Sequence, residues 1–187
     1  MSLSRKKNFS LEGRRVFVAG HNGMVGSALL RRLAKENCDI LTVDRKQLDL
    51  KNFKAVNDWF SENKPEAVFF AAALVGGIYA NKTHPVDFLS DNLELQNSVI
   101  TASFNNEVKK FMFLGSSCIY PRDAEQPLKE EALLTGELEK TNESYAIAKI
   151  AGLKLCQAYR KQYGVDYISV MPTNLYGPGD NYHPKNS

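Results

Sequence analysis

From residue 15 to residue 171 the chain repeats one alternation: a short, uniformly apolar run, then a longer stretch in which apolar residues return every three or four positions. A period near 3.6 marks an amphipathic helix, and four or five apolar residues closed by glycine or a polar turn mark a buried strand. Residues 15–19 (RVFVA) read as the first strand, and Met24, Val25, Ala28, Leu29 and Leu33 place a helix directly behind it. Residues 40–43 are a second strand, followed by a helix with Phe53, Val56, Trp59 and Phe60 on its inner face. Residues 67–71 are a third strand. Beyond Gly76 and Gly77, the spacing of Val86, Leu89, Leu93 and Val99 predicts a long helix. Residues 111–114 form a fourth strand that ends in Gly115-Ser116-Ser117. A helix over 145–163, closed by Gly164, leads to a fifth strand at 167–171.

Strands that are apolar at every position, rather than at alternate ones, are buried on both faces, which is the pattern of a parallel sheet between two helix layers. With right-handed crossovers this predicts an α/β fold with a doubly wound parallel sheet of the Rossmann type, whose ligand sits at the carboxyl ends of the strands. Residues 1–13 read as a polar tail, and residues 14–187 as one dinucleotide-binding catalytic domain.

The first strand runs into Gly20-His21-Asn22-Gly23-Met24-Val25-Gly26, a G-x-x-G-x-x-G turn that opens a helix. Glycine lets such a turn approach a pyrophosphate closely, and the helix N-terminus offers free N–H groups and a partial positive charge to it. The second strand ends at Asp44-Arg45, where a residue meets the adenosine ribose. An acidic residue there suits the 2′-hydroxyl of NAD and an arginine the 2′-phosphate of NADP, so the pair leaves both open. Asp49 and Leu50 are placed to meet the adenine edge, with a role for Asp49 near the next helix cap as the alternative.

Composition removes several classes. Apolar residues make up 43% and charged residues 24%, and the net charge of +3 is too small and too dispersed for nucleic acid. No run approaches the eighteen apolar residues of a membrane span. The basic run Arg5-Lys6-Lys7 has no apolar stretch behind it, so it is not a signal peptide. Cys38, Cys118 and Cys156 are odd in number and lack CxxC spacing, as expected of reduced thiols in a cytoplasmic protein without a metal site.

Of the eight tyrosines, only Tyr145 has a lysine four residues on, Lys149. On a helix the two share a face, and the ammonium is expected to lower the phenol's pKa. Such a tyrosine passes a proton to a carbonyl oxygen as hydride reaches the carbon. A serine of Gly115-Ser116-Ser117, at a strand end, can hydrogen-bond the same oxygen.

With these motifs in order, the chain resembles the extended short-chain dehydrogenase/reductases, and within them the GDP-L-fucose synthase family. The resemblance rests on residues 19–27, on Ala71-Ala72-Ala73 with Val75-Gly76-Gly77-Ile78, and on Leu114-Gly115-Ser116-Ser117-Cys118-Ile119-Tyr120-Pro121. It continues in Thr141-Asn142-Glu143, in Tyr145-Ala146-Ile147-Ala148-Lys149, and in Met171-Pro172-Thr173-Asn174-Leu175-Tyr176-Gly177-Pro178. It implies NADP(H) in preference to NAD, and conversion of GDP-4-keto-6-deoxy-D-mannose to GDP-L-fucose by C3/C5 epimerisation and hydride transfer to C4. In that scheme Tyr145 donates the proton, Lys149 holds the nicotinamide ribose, Ser116 polarises the 4-keto oxygen and Cys118 exchanges the epimerisation protons. Ala71, Ala72, Ala73, Leu114, Gly115 and Ser117 line the cofactor, and Pro172, Thr173, Asn174 and Leu175 its nicotinamide side. The alternatives are reduction of a related GDP-deoxyheptose, and a non-catalytic dinucleotide-binding fragment.

Two departures accompany the resemblance. Asn22 stands where the family often has a basic residue, leaving Arg45 to meet a 2′-phosphate. The family pattern also continues past Ser187 with a histidine and the GDP-sugar-binding region, so the chain reads as truncated, with His183 a poor substitute. The helix from Tyr145 is apolar on more than one side, at Ala146, Ile147, Ala148, Ile150, Ala151, Leu153, Leu155, Cys156 and Ala158. One sheet covers one face, so a homodimer is expected over the other.

Overall fold

Five short strands carry the molecule: β1 (Arg15–Ala19), β2 (Asp39–Leu41), β3 (Ala67–Phe70), β4 (Lys110–Leu114) and β5 (Asp166–Val170). All neighbours pair in parallel, in the order β2-β1-β3-β4-β5. The connecting helices are α1 (Met24–Leu33), α2 (Phe53–Asn63), α3 (Ile78–Thr83), α4 (Pro85–Asn105) and α5 (Glu143–Tyr163). The computed structural model describes residues 9–181. The tail run Arg5-Lys6-Lys7 and His183 lie outside the described residues.

Local chemistry explains the helix ends. Asn52 caps α2 with its side-chain oxygen, which accepts from the Ala55 amide at 3.1 Å. Pro85 opens α4 at its first position, where a missing N–H costs nothing.

The two sheet faces differ. Phe17, Ala19, Val68, Phe70, Phe111, Phe113 and Tyr167 point to one side and form the main core with Val56, Phe60, Val99, Ile100, Leu153 and Cys156 from α2, α4 and α5. On the other side Val16, Val18 and Ala67 pack with Leu29, Leu30 and Leu33 of α1, together with Phe9, Leu11, Cys38, Ile40 and Phe69. Over β4 and β5 that second face has no helix among the described residues. Met112, Leu114 and Ile168 are half-buried there, Phe69 of β3 is half-buried at the margin of the α1 cluster, and Val170 is 37% exposed. The expected pair of helix layers is therefore complete on one face and confined to α1 on the other.

Two smaller expectations are corrected. Phe53, placed on the inner face of α2, is 45% exposed because it begins the helix, a turn before that face reaches the core. Residues 42 and 43 leave the ladder of edge strand β2, although the Val43 side chain still packs on the core. Among the described residues no helix is long and apolar enough to cross a membrane.

Candidate active site

The strand order lines up the carboxyl ends of β1, β3, β4 and β5, so Gly20, Ala71 to Ala73, Leu114 to Ser117 and Met171 to Leu175 follow one another along one sheet edge.

At the β1 end, Gly20 has φ +84°, and a Cβ on it would fall 2.7 Å from the Ala72 amide nitrogen. A Cβ on Gly26 would fall 2.1 Å from the Gly20 carbonyl oxygen. Both positions exclude any side chain, which draws α1 tightly onto β1 and β3. Gly23 caps α1 with no side-chain bond, and the first turn holds no acidic residue. The amides of Met24 and Val25 thus meet an anion with no competing carboxylate, an arrangement that fits a pyrophosphate. Beside this turn lies a cavity of about 290 Å³. It is lined by Gly20 to Gly23, by Val43, Arg45, Leu48, Asp49, Leu50 and Lys51 after β2, by Ala71 to Leu74, and by Asp91 and Leu95 of α4, with Lys51 Nζ 3.0 Å from the Asp91 carboxylate. Its size and its wall of small and apolar residues around a few polar groups suit an adenosine.

Of the two candidates at the ribose, Arg45 lines the cavity and Asp44 does not. The Asp44 carboxylate accepts from Asn22 Nδ2 at 2.8 Å, and His21 Nε2 lies 3.6 Å from the same oxygen. Asp49 lines the cavity while its carboxylate accepts from the Lys51 amide at 3.1 Å, and the cap of α2 is Asn52. Val43, Leu48, Lys51, Leu74, Asp91 and Leu95 are cavity residues that sequence reasoning missed. Asp91 and Leu95 stand four apart on α4, a spacing that shares a face; which face meets the cavity depends on the packing of α4. Asn92 anchors this wall, accepting from the Leu74 amide at 2.8 Å and donating to its carbonyl at 3.0 Å.

At the β4 end, Ser116 caps a 3-10 turn at Ser117–Ile119, its hydroxyl accepting from the Cys118 amide at 3.3 Å. The same hydroxyl hydrogen-bonds the Tyr145 phenol. Asn142 Nδ2 donates to Cys118 Sγ at 3.3 Å. Lys149 is 3% exposed, donates to the Leu114 carbonyl at 2.9 Å and lies 5.0 Å from the Phe113 ring centre. The Ser117 amide donates to the Pro172 carbonyl at 3.2 Å, which fixes Pro172, Thr173, Asn174 and Leu175 next to this cluster. The fold therefore assembles Ser116, Cys118, Tyr145 and Lys149, four residues that span more than thirty positions of sequence.

The electrostatics correct one expectation. Lys149 Nζ is 5.8 Å from the centre of the Tyr145 ring, yet the phenol's pKa is pushed up to about 12. Burial is the first cause and the negative charge of Cys118 the second, with the Ser116 hydrogen bond opposing them. Burial also pushes the Lys149 ammonium down to about 8. Desolvation leads both shifts, so Tyr145 is held as a neutral proton donor.

The chain matches the family described as NAD dependent epimerase/dehydratase over residues 16–187. It is 59% identical over 174 residues to a GDP-L-fucose synthase of Sinorhizobium fredii, an alignment that covers 93% of this chain and 55% of that protein. Among solved structures it is similar to a GDP-mannoheptose C4 reductase from Campylobacter jejuni with NADP bound, at TM-score 0.87 and 44% identity over 90% of this chain and 54% of that one. It is likewise similar to a GDP-L-fucose synthetase from Naegleria fowleri bound to NADP, at TM-score 0.86 and 30% identity over 96% and 60% of the two chains. The chain thus spans about half the length of the curated relatives it matches.

Proposed function

The chain belongs to the NAD dependent epimerase/dehydratase family, and from that premise we propose that it carries the cofactor site and proton-transfer residues for NADPH-dependent conversion of GDP-4-keto-6-deoxy-D-mannose to GDP-L-fucose. The observation that carries the reading is the cluster of Ser116, Cys118, Tyr145 and Lys149 at the carboxyl end of β4, beside a turn that fits a dinucleotide pyrophosphate. Identity of 59% to a protein named for that reaction supports the sugar.

When bound, the dinucleotide supplies hydride to C4. Tyr145 gives its phenolic proton to the C4 oxygen, and Ser116, already bonded to that phenol, donates to the same oxygen. Lys149, anchored on the Leu114 carbonyl, holds the nicotinamide ribose and offers a charge that varies near neutral pH. Cys118 exchanges a proton on one face of C3 and C5, which the C4 carbonyl makes acidic, and a second acid/base on the opposite face, the histidine that the family resemblance places past Ser187, completes each inversion. Asp44 is occupied by Asn22 while Arg45 faces the cavity, and this supports NADPH over NADH. The outer stripe of α5, with Ile147 43% exposed, supports a homodimer over that helix.

Similarity to a C4 reductase of a GDP-heptose supports a second sugar for the same four residues. Two assays decide. Fluorescence titration with NADPH and NADH tests the cofactor, and absence of binding by either sinks the proposal. NADPH oxidation with GDP-4-keto-6-deoxy-D-mannose and with a GDP-4-keto-heptose separates the sugars. Tyr145→Phe should lower the C4 reduction rate by about 10²–10⁴-fold and leave dinucleotide binding intact.

A further inference from the structure

Asparagine is among the best residues for a helix N-cap, where its side-chain oxygen accepts from an amide two or three positions on. Asn142 occupies that place before α5 and makes no such bond. Its Nδ2 donates instead to Cys118 Sγ at 3.3 Å, and its Oδ1 is buried without a hydrogen-bond partner among the described residues. Asn52, at the same place before α2, caps normally. The end of α5 thus gives up a cap and leaves an acceptor unmatched while one N–H points at one sulfur. Such exceptions are rare in folded proteins and call for a cause.

Chemistry supplies one. A donor aimed at sulfur stabilises the thiolate more than the thiol, because hydrogen bonds to a charged acceptor are the stronger ones. The polar groups facing Cys118 are the Ser116 hydroxyl, bonded to its amide, the Tyr145 phenol from α5, and Asn142. Glu143 is the acidic residue of the first turn of α5 and is exposed.

We propose that Asn142 is a positioning residue for Cys118, turning its N–H from the cap of α5 to the sulfur and holding that sulfur in place. Its consequence for catalysis rests on the role proposed above for Cys118, but its test does not. Alkylation of the 187-residue chain by iodoacetamide, followed between pH 6 and pH 10 by mass spectrometry of the Cys118 peptide, reads this sulfur apart from Cys38 and Cys156. In Asn142→Ala and Asn142→Ser the rate at pH 7 should fall about tenfold, the loss of one hydrogen bond to the attacking sulfur. In Asn142→Asp it should fall further, since a carboxylate then faces the sulfur. The Ser and Asp variants should keep or raise the melting temperature, because their side chains are free to cap α5.

Unchanged alkylation in a Ser variant of undiminished melting temperature would overturn the inference, as would slower alkylation that only accompanies a lower melting temperature in all three variants. Neither result touches the dinucleotide titration. A chain that binds no dinucleotide but whose Asn142 variants alkylate more slowly loses the proposed function and keeps this role for Asn142.

Discussion

Lys149 combines three properties that a surface lysine lacks: 3% exposure, a bond to the Leu114 carbonyl and a pKa pushed down to about 8 from an ordinary value of 10.5. Between those two values the unfolded chain holds more protons than the folded one, so stability rises with pH through that window. The contribution is fully present above 10.5 and is lost as pH falls through 8. At pH 7 the buried ammonium costs at most about 3 kcal/mol, against about 1 kcal/mol returned by its hydrogen bond. Lys149→Met should therefore stabilise the fold by about 1–2 kcal/mol at pH 7 and destabilise it by about 1 kcal/mol near pH 10.5. Urea unfolding at the two pH values checks it, and a variant weaker at both would show that the ammonium is not penalised by burial. Arg45 gives a second test. If it meets a 2′-phosphate, Arg45→Ala should weaken NADPH binding by about 10- to 100-fold, the loss of one charge-assisted hydrogen bond, and leave NADH binding nearly unchanged. Equal loss for both cofactors would remove Arg45 from the ribose. The pairing of Tyr145 with Lys149 was legible in the sequence because i and i+4 share a helix face. The direction of the tyrosine's shift was not, because burial is a property of α4, α5 and the sheet together.

At the scale of elements, α5 is pressed closest to its neighbours at Gly152. A Cβ there would lie 2.5 Å from Phe113 Cζ and 2.7 Å from Gln96 Oε1. Alanine in a helix interior is favoured over glycine by about 1 kcal/mol, so an exposed site would gain from the change. Here the added methyl must displace a core phenylalanine, at about 1–3 kcal/mol. It also presses on the Gln96 amide, which donates to the Ala148 carbonyl at 2.7 Å. Gly152→Ala should be net destabilising by about 1–2 kcal/mol in urea unfolding; a gain in stability would mean that Phe113 and Gln96 move aside freely. The strands and long helices were legible to within about two residues, since each is an unbroken apolar run or a sustained helical period. α3 was not foreseen, because six residues with Ile78 and Tyr79 largely exposed carry no periodic signal. The 3-10 turn at Ser117–Ile119 was also missed as an element, although its serines were singled out: Ser116 and its neighbours announce chemistry more clearly than shape.

At the scale of the molecule, the apolar composition of the strands predicted two covered sheet faces, and among the described residues only one is covered along its full width. That leaves two apolar surfaces with different consequences. On α5, five of the nine apolar residues noted in the sequence are buried by the sheet and by α4, namely Ala146, Ala148, Ile150, Leu153 and Cys156. Ile147 stays 43% exposed, Ala158 exposed, and Ala151 and Leu155 half-buried, a stripe at helical spacing. The case for a second subunit therefore rests on that narrower stripe and not on the whole back of the helix, since α4 already takes part of the role assigned to a partner. On the sheet, Met112, Leu114, Ile168 and Val170 form a flatter surface across two strands. An apolar area of that kind marks either an interface or a liability to aggregate. Charge reversal of burial separates the two: Ile147→Asp with Leu155→Asp should convert a dimer to a monomer by light scattering, whereas Ile168→Lys with Val170→Lys should reduce binding of an apolar dye and leave the mass unchanged. The opposite pattern, a mass that falls only with the β5 variants, would move the association of this chain from the helices to the open face of the sheet.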